Sequence, residues 1–494
     1  MAAPADAVFV DGTIHVLGTT DRTETAVAVR NGAICRVADT YEVEFLNGIE
    51  TERVDLNGRS VLPGFYDAHA DLLAVGLGIE RADLSSVSDR EPAIEALRDD
   101  AEASEGWILG AGYDDSDWSD DQTIDGKALG AVSEERPVAA LGADGETVAL
   151  NDVAAERVTE AGGAVPADGI LTGPKTELVW PQIAPGNIKR AKEYVAAALD
   201  QAVERGVTTV SAVVRTPLIA RALHELHRAD ELVARVRMTY WAGQMDGPTP
   251  LAAVERLGLL PGAGNQMLQL ESVGATVATA GSAEIEADGE LAAGTIHSAP
   301  WLSPADVPDF IAKATAAGMP VTIHVKDKSS LTAVVEAIRG QSAPEYRLVS
   351  DVRLTEEAEE AIATTGGIVI ARPKLAPSEE ADESQSQNDS LNPETLRDSG
   401  VKLAMGGSVS MSAPLQSAAR FRTGESADQS NVNPALRTVT AAHRASTTTE
   451  NRDPFEIGTP ADFVVLSGSP WETPPSELSV EMTVVDGQIV YRSD

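Results

Sequence analysis

The sequence predicts an α/β fold: a (β/α)8 barrel of the TIM type, with a small β-sandwich lobe formed by both chain ends. Three observations carry this reading. From residue 188 onward, apolar strand-like runs alternate with amphipathic helical ones, the pattern of a parallel sheet wound with helices. Adding the run that starts at Val61 gives eight such strands, which favours a closed barrel over an open sheet. The two ends are different in kind: short alternating apolar runs broken by Asp-Gly and Asn-Gly, which are strong turn formers between strands.

Taken in order, Ala7 to Val10 and Thr13 to Val16 flank Asp11-Gly12, and Ala26 to Val29 and Ala33 to Val37 flank Asn31-Gly32. Both read as hairpins. The C-terminal runs Asp462 to Leu466 and Met482 to Tyr491 are alike, so residues 1–60 plus 455–494 are expected to form one composite lobe around a barrel of residues 61–454. Residues 85–175 are less regular and read as an insertion after the first barrel strand, with a helix from Pro92 and strands at 106–114 and 138–141. The barrel strands then follow at Val207 to Val214, Val236 to Trp241, Met267 to Ala278, Pro320 to Val325, Tyr346 to Val352, Ile368 to Ala371 and Val401 to Met405, with helices between them. Pro373 to Pro393 has no core-forming pattern and is expected to be a mobile acidic loop after strand seven.

Composition narrows the function classes. With 43% hydrophobic residues in 494, the chain can bury a sizeable core, yet no apolar run approaches the roughly 20 residues that span a bilayer. The start, MAAPADAVFVDG, has neither the basic nor the apolar region of a secretory signal. Cys35 is the single cysteine, which excludes an internal disulfide and a cysteine metal cluster. There are 77 acidic against 38 basic residues, and nine of the basic ones are lysine. Such a surface repels nucleic acid and anionic lipid. Acidic and poor in lysine, it reads as adaptation to high salt, where a Debye length of ~3 Å at 1 M mutes self-repulsion. The expectation is a cytoplasmic protein of a salt-loving organism, with no nucleic-acid or membrane partner.

The chain is organised around Val61 to Leu72, VLPGFYDAHADL. A hydrophobic strand runs in, Pro63-Gly64 bends it, and it ends in Asp67, His69 and Asp71. His69 and Asp71 are two apart, so on an extended strand they share a face. Polar side chains at strand ends are where a β/α barrel builds its chemistry. The stretch resembles the VLPGFxDxHxH signature of the amidohydrolase superfamily. GWILGAGYDDSDW, LGADGETVALN, TIHVKD and the ending GTPADFVVLSGSPW with VVDGQIVY resemble motifs of its N-substituted formamide deformylase-like branch. The likeness runs over essentially the whole chain, in order. It implies a barrel with a split β lobe, hydrolysis of amide-like C–N bonds at one or two divalent metals, a small-molecule amide-like substrate, and a homodimer.

The site residues carry over position by position. The resemblance implies an HxH metal pair after strand one: here His69 is present and Asp71 stands at the second position, where a carboxylate can replace imidazole on zinc. Thr276 falls where binuclear members place a bridging carboxylated lysine. His324 matches the histidine after strand five. Ser350 falls where a histidine is expected after strand six, and Ser408 where the proton-accepting aspartate is expected after strand eight. The DGH motif of the insertion reads Asp144-Gly145-Glu146. His69, Asp71 and His324 are therefore candidate ligands for one zinc, with Glu146 and Asp351 as substitute bases. Ser350 and Ser408 have no histidine beside them in sequence to activate a hydroxyl. His15 reads as a surface histidine, His224 and His227 as a surface pair on one helix face, and His297 and His443 carry no motif. Trp107, Trp118, Trp180 and Trp301 either line a pocket or pack the core. Two readings stay open: a hydrolase with a reduced one-metal site, and a non-catalytic barrel with no metal that serves as a ligand-binding or partner subunit.

Overall fold

A computed structural model of the chain describes residues 3–17, 22–79, 81–103, 106–116, 118, 123–143, 147–160, 163–183, 185–241, 250–279, 302–340, 345–350, 352–371, 396, 399–406, 414–415, 418, 432–440, 453–474 and 477–493. The acidic loop expected at Pro373 to Pro393 lies outside them.

Eight parallel strands form the central sheet: β1 (Phe65–Ala70), β2 (Val207–Val214), β3 (Arg235–Trp241), β4 (Leu268–Val277), β5 (Val321–Val325), β6 (Tyr346–Ser350), β7 (Ile368–Ala371) and β8 (Lys402–Met405). They pair in chain order, as right-handed β/α crossovers require. Most are buried on both faces: every residue of LQLESVGATV in β4 and of VTTVSAVV in β2 is buried. The curved sheet nearly closes, and β8 comes back against β1. A Cβ on Gly406, just past β8, would lie 2.7 Å from the His69 amide nitrogen, so that contact is open only to glycine.

The surrounding helices start and stop where their sequence dictates. Asn187 caps Ile188–Glu204 by accepting from the Arg190 amide. Thr216 caps Pro217–Arg228, whose first residue is a proline preset for a helix start. Thr355 caps Glu356–Thr365, and Gly366, at φ +78°, ends it in the left-handed region. No helix among the described residues is long and apolar enough to cross a membrane.

Between β1 and β2 lies a five-stranded sheet in the order Ile170–Thr172, Thr147–Leu150, Val138–Gly142, Ile108–Tyr113, Ala82–Asp83. Its apolar core continues onto the barrel helices through Leu77 and Tyr194. The chain ends build two further sheets. One is N-terminal, in the order Ala33–Ala38, Ala26–Arg30, Ala7–Val10, Glu52–Asp55. The other mixes both ends: Phe463–Leu466 pairs antiparallel with Ser60–Pro63, the strand leading into β1. Phe9 of the first sheet meets Phe463 of the second edge to face at 4.9 Å.

One expected hairpin is not there. Asn31-Gly32 turns at φ +50° and +73° and joins paired strands. Asp11-Gly12 joins strands that belong to different sheets. The reason is local: Leu56 packs against Gly12, where an added Cβ would meet it at 2.5 Å, and the chain passes from one sheet to the other there.

Arg235, the first residue of β3, ties the C-terminal strands to the floor of the barrel. It donates to both carboxylate oxygens of Asp462, at 2.5 and 3.0 Å, and to Asp486 at 2.8 Å.

Candidate functional site

The C-terminal ends of β1, β3, β4 and β5 converge on one cluster. His69 of β1 and His324 of β5 are both buried, with ring centroids 6.0 Å apart at 75°. The His69 backbone is fixed by Asp67, whose Oδ1 accepts its amide hydrogen at 3.0 Å. His324 lies in register with Thr276 of β4 and Val349 of β6. The two imidazoles are 255 residues apart in the chain, and the barrel brings them together.

Trp241, the last residue of β3, fills the space beside them. Its ring is fully buried, centred 5.3 Å from that of His69, and its Nε1 donates to Thr276 Oγ1 at 3.2 Å. It lies on Gly274, whose missing Cβ would be 2.3 Å from the ring. Thr276 is thus occupied in binding an indole.

Asp71 takes a different course. Strand geometry ends at Ala70, and the helix Leu72–Ile79 begins directly after Asp71. Its Oδ1 accepts the Ala74 amide at 3.1 Å, a capping bond. Its Oδ2 accepts from Arg215 Nε at 3.0 Å, in a pair whose side chains are 12% and 15% exposed (Arg215 and Asp71). Arg215 directly follows β2, and its guanidinium carbon stands 5.6 Å from the centroid of the Trp241 ring. Ser350 Oγ donates to the Val352 carbonyl at 2.6 Å, closing a local turn. Glu146, Asp351 and Ser408 lie outside the described residues, as do His297, His443 and Trp301.

The barrel interior beneath the mouth is polar where barrels usually pack branched aliphatics. Thr239, Ser272 and Thr322 form a hydroxyl chain with links of 2.8 and 3.1 Å. Below it Glu271, fully buried, takes two 2.5 Å bonds from Arg347 and one of 2.9 Å from Ser211. Burial alone would raise the Glu271 carboxyl, but Arg347 outweighs it and holds the group below the usual carboxylate range. Burial, with the Glu271 charge beside it, pushes the Tyr66 phenol up. This network sits among packed strands and makes a floor for the site.

The remaining candidates fall elsewhere. His224 and His227 lie on the outer helix Pro217–Arg228, and a ring nitrogen of His227 contacts the Asn265 amide at 2.9 Å. His15 is partly buried, stacked on Trp471 at 3.9 Å, and burial pushes its pKa down to about 4; it is a packed histidine where a surface one was expected. Trp107, under Arg157, and Trp118 belong to the packing of the insertion.

A divalent metal of the zinc type needs three or four donors. Among the described residues, no group of three or more His, Cys, Asp and Glu side chains is placed to hold an ion. Two imidazoles converge, and the Asp71 carboxylate is held by the Ala74 amide and by Arg215. The described residues do not fit a three-ligand metal centre. Trp241 and Arg215 are not metal-ligating residue types and carry no motif, so the sequence does not mark them, although both stand at or just past the end of a barrel strand.

Known proteins resemble the whole assembly. An uncharacterised metal-dependent hydrolase from Pyrococcus horikoshii OT3 superposes with TM-score 0.72 at 18% identity, over 95% of this chain and 99% of that one. A zinc-bound adenosine deaminase from Xanthomonas campestris gives 0.59 at 13% identity, over 99% and 93%. At these identities the likeness speaks for the fold. In sequence, YtcJ of Bacillus subtilis (strain 168), named after the amidohydrolases, is 23% identical across 98% of this chain and 99% of its own. The protein LONG AFTER FAR-RED 3 of Arabidopsis thaliana is 28% identical over 221 residues, 42% of this chain, and the match spans 38% of that longer protein. The amidohydrolase family model matches residues 52–491, which takes in the strand entering β1, every barrel strand and the returning C-terminal strands, and the chain belongs to amidohydrolase family 3.

Proposed function

We propose that this chain is an amidohydrolase-family barrel that binds a small amide-like molecule at its mouth without a metal centre, as a ligand-binding or partner subunit. The observation that carries the reading is the state of Asp71: both of its oxygens are engaged, one by the Ala74 amide and one by Arg215. Trp241, His69 and His324 stand together at the strand ends, an aromatic and polar set of the kind that recognises a planar amide. The terminal sheets, joined through Phe9 and Phe463, form a β-sandwich lobe beside the barrel. The N-substituted formamide deformylase-like branch is the part of the family whose motifs the chain carries. A homodimer in the cytoplasm of a salt-loving organism is the setting that composition and family support.

A second reading has its own observation. His69 and His324 meet at 6.0 Å, a spacing open to a shared ion, and this favours hydrolysis of an amide-like C–N bond with one divalent metal on the two histidines. Elemental analysis of the protein purified in high salt separates the two. The binding reading expects no stoichiometric zinc, no hydrolysis of simple formamides or N-acyl amines, and a thermal shift with such amides that is lost in Trp241→Ala. Near-stoichiometric zinc that disappears in His324→Ala, with turnover, overturns it in favour of the hydrolase.

A further inference from the structure

We infer that Arg215 is the resident cation of the barrel mouth, and that its guanidinium keeps a divalent metal from assembling on His69, Asp71 and His324. The inference rests on the metal-free reading above and names the device that enforces it.

Three features support the assignment. The first is charge: a guanidinium stays protonated at any working pH, and the Arg215–Asp71 pair is mostly buried, at 12% and 15% exposure, so solvent screens it little. An ion reaching for the Asp71 carboxylate meets a fixed positive charge already on it. The second is anchorage. Arg215 Nε holds Asp71 at 3.0 Å, and the guanidinium stands 5.6 Å from the Trp241 ring centroid, a cation–π distance. Its backbone lies between the last residue of β2 and Thr216, the cap of the next helix, so the arm swings from a fixed point. The third is the neighbouring chemistry: Thr276 Oγ1 accepts from Trp241, so the aromatic that stands beside Arg215 also occupies the nearby strand-end oxygen. The mouth is furnished around a guanidinium and an indole, each holding a side chain at a position where the resemblance places a metal ligand in other members of the family.

The test is metal binding by the full-length protein in high salt after removal of adventitious metal. Zinc is titrated by equilibrium dialysis, with cobalt(II) as its spectroscopic stand-in, read by the intense visible absorption of a tetrahedral ion. Wild type is expected to bind weakly and without that spectrum. Arg215→Met is expected to bind about tenfold or more tighter, a difference that one charge at close range readily supplies. Arg215→Lys should return to the wild-type value, and Arg215→Met combined with Asp71→Asn should lose the gain. If Arg215→Met does not fold, Arg215→Gln keeps a donor to Asp71 without the charge and is expected to show the same gain. An uncharged variant that folds and binds no tighter, or a gain that survives Asp71→Asn, overturns the inference while the metal-free reading stands. Tight stoichiometric zinc in wild type overturns the metal-free reading, and the inference with it.

Discussion

Asp71 shows how much a single residue's surroundings decide. In sequence it is two positions from His69, and on a continuing strand the pair would share a face. The strand stops at Ala70, so the same carboxylate becomes a helix cap and the partner of Arg215. The histidines were legible because their motifs also fixed their strands; the fate of Asp71 was not, because periodicity does not say where a strand ends to within one residue. Asp71→Ala removes a cap worth about 1 kcal/mol and takes from Arg215 a mostly buried carboxylate at 3.0 Å, and breaking a buried pair typically costs about 3–5 kcal/mol. A loss of stability in that upper range is expected by urea unfolding in high salt; a loss near the cap value alone would mean that Arg215 finds another anion. His15 gives a second test at this scale. Its folded pKa is lowered by burial from 6.5 to about 4. Between those values the unfolded chain binds a proton that the folded chain refuses, so stability is lost as pH falls through that window. His15→Phe keeps the stack on Trp471 and removes the titration. The difference in urea midpoint between pH 7 and pH 5 should shrink in this variant; an unchanged difference would assign the acid sensitivity to carboxylates instead.

At the scale of elements, regular alternation was enough to read the eight barrel strands, since β/α units announce themselves by a change of period. What pattern did not carry was the close approach between elements. Asp11-Gly12 has hairpin chemistry, yet its glycine serves to admit Leu56. Gly274 lies mid-strand in β4, where glycine weakens a strand by itself, and its reason is the Trp241 ring packed against it. Gly274→Ala puts a methyl 2.3 Å from a ring carbon of a side chain with nowhere to go. Overpacking of that kind costs about 1–3 kcal/mol. It also lifts the indole from Thr276 and from beside His69. The variant should therefore lose affinity for an amide ligand together with stability, and its near-ultraviolet circular dichroism should change while the far-ultraviolet signal holds. Loss of stability with the aromatic signal and ligand affinity intact would show that the strand, rather than the ring, gives way.

Across the whole molecule, a formal charge of −39 acts against every short-range contact described above. The ion pairs divide into two populations. Those at the surface, such as Arg22–Glu24 and Lys189–Glu193, are each worth at most about 1 kcal/mol and weaken as salt is added. Those inside, Arg347–Glu271 and Arg235–Asp462, lie beyond the reach of screening, because mobile ions do not enter a packed barrel floor. Salt therefore weakens these small surface attractions along with a larger body of repulsions: 77 acidic groups face 38 basic ones, so an acidic excess remains even with every cation paired. Repulsion summed over the surface reaches across a Debye length of ~10 Å at 0.1 M and ~3 Å at 1 M, so most of the relief should come below about 1 M. The midpoint of thermal unfolding is accordingly expected to rise steeply between 0.1 and 1 M KCl and to level off above that. Arg235→Met should lower the whole curve with little change of shape, since the Asp462 carboxylate that Arg235 holds with two bonds is mostly buried and salt reaches only the more exposed Asp486. A midpoint that is flat or falls over the same range would mean that the surface pairs outweigh the net charge. In that case the acidic composition would need a different explanation from the salt in which the chain folds.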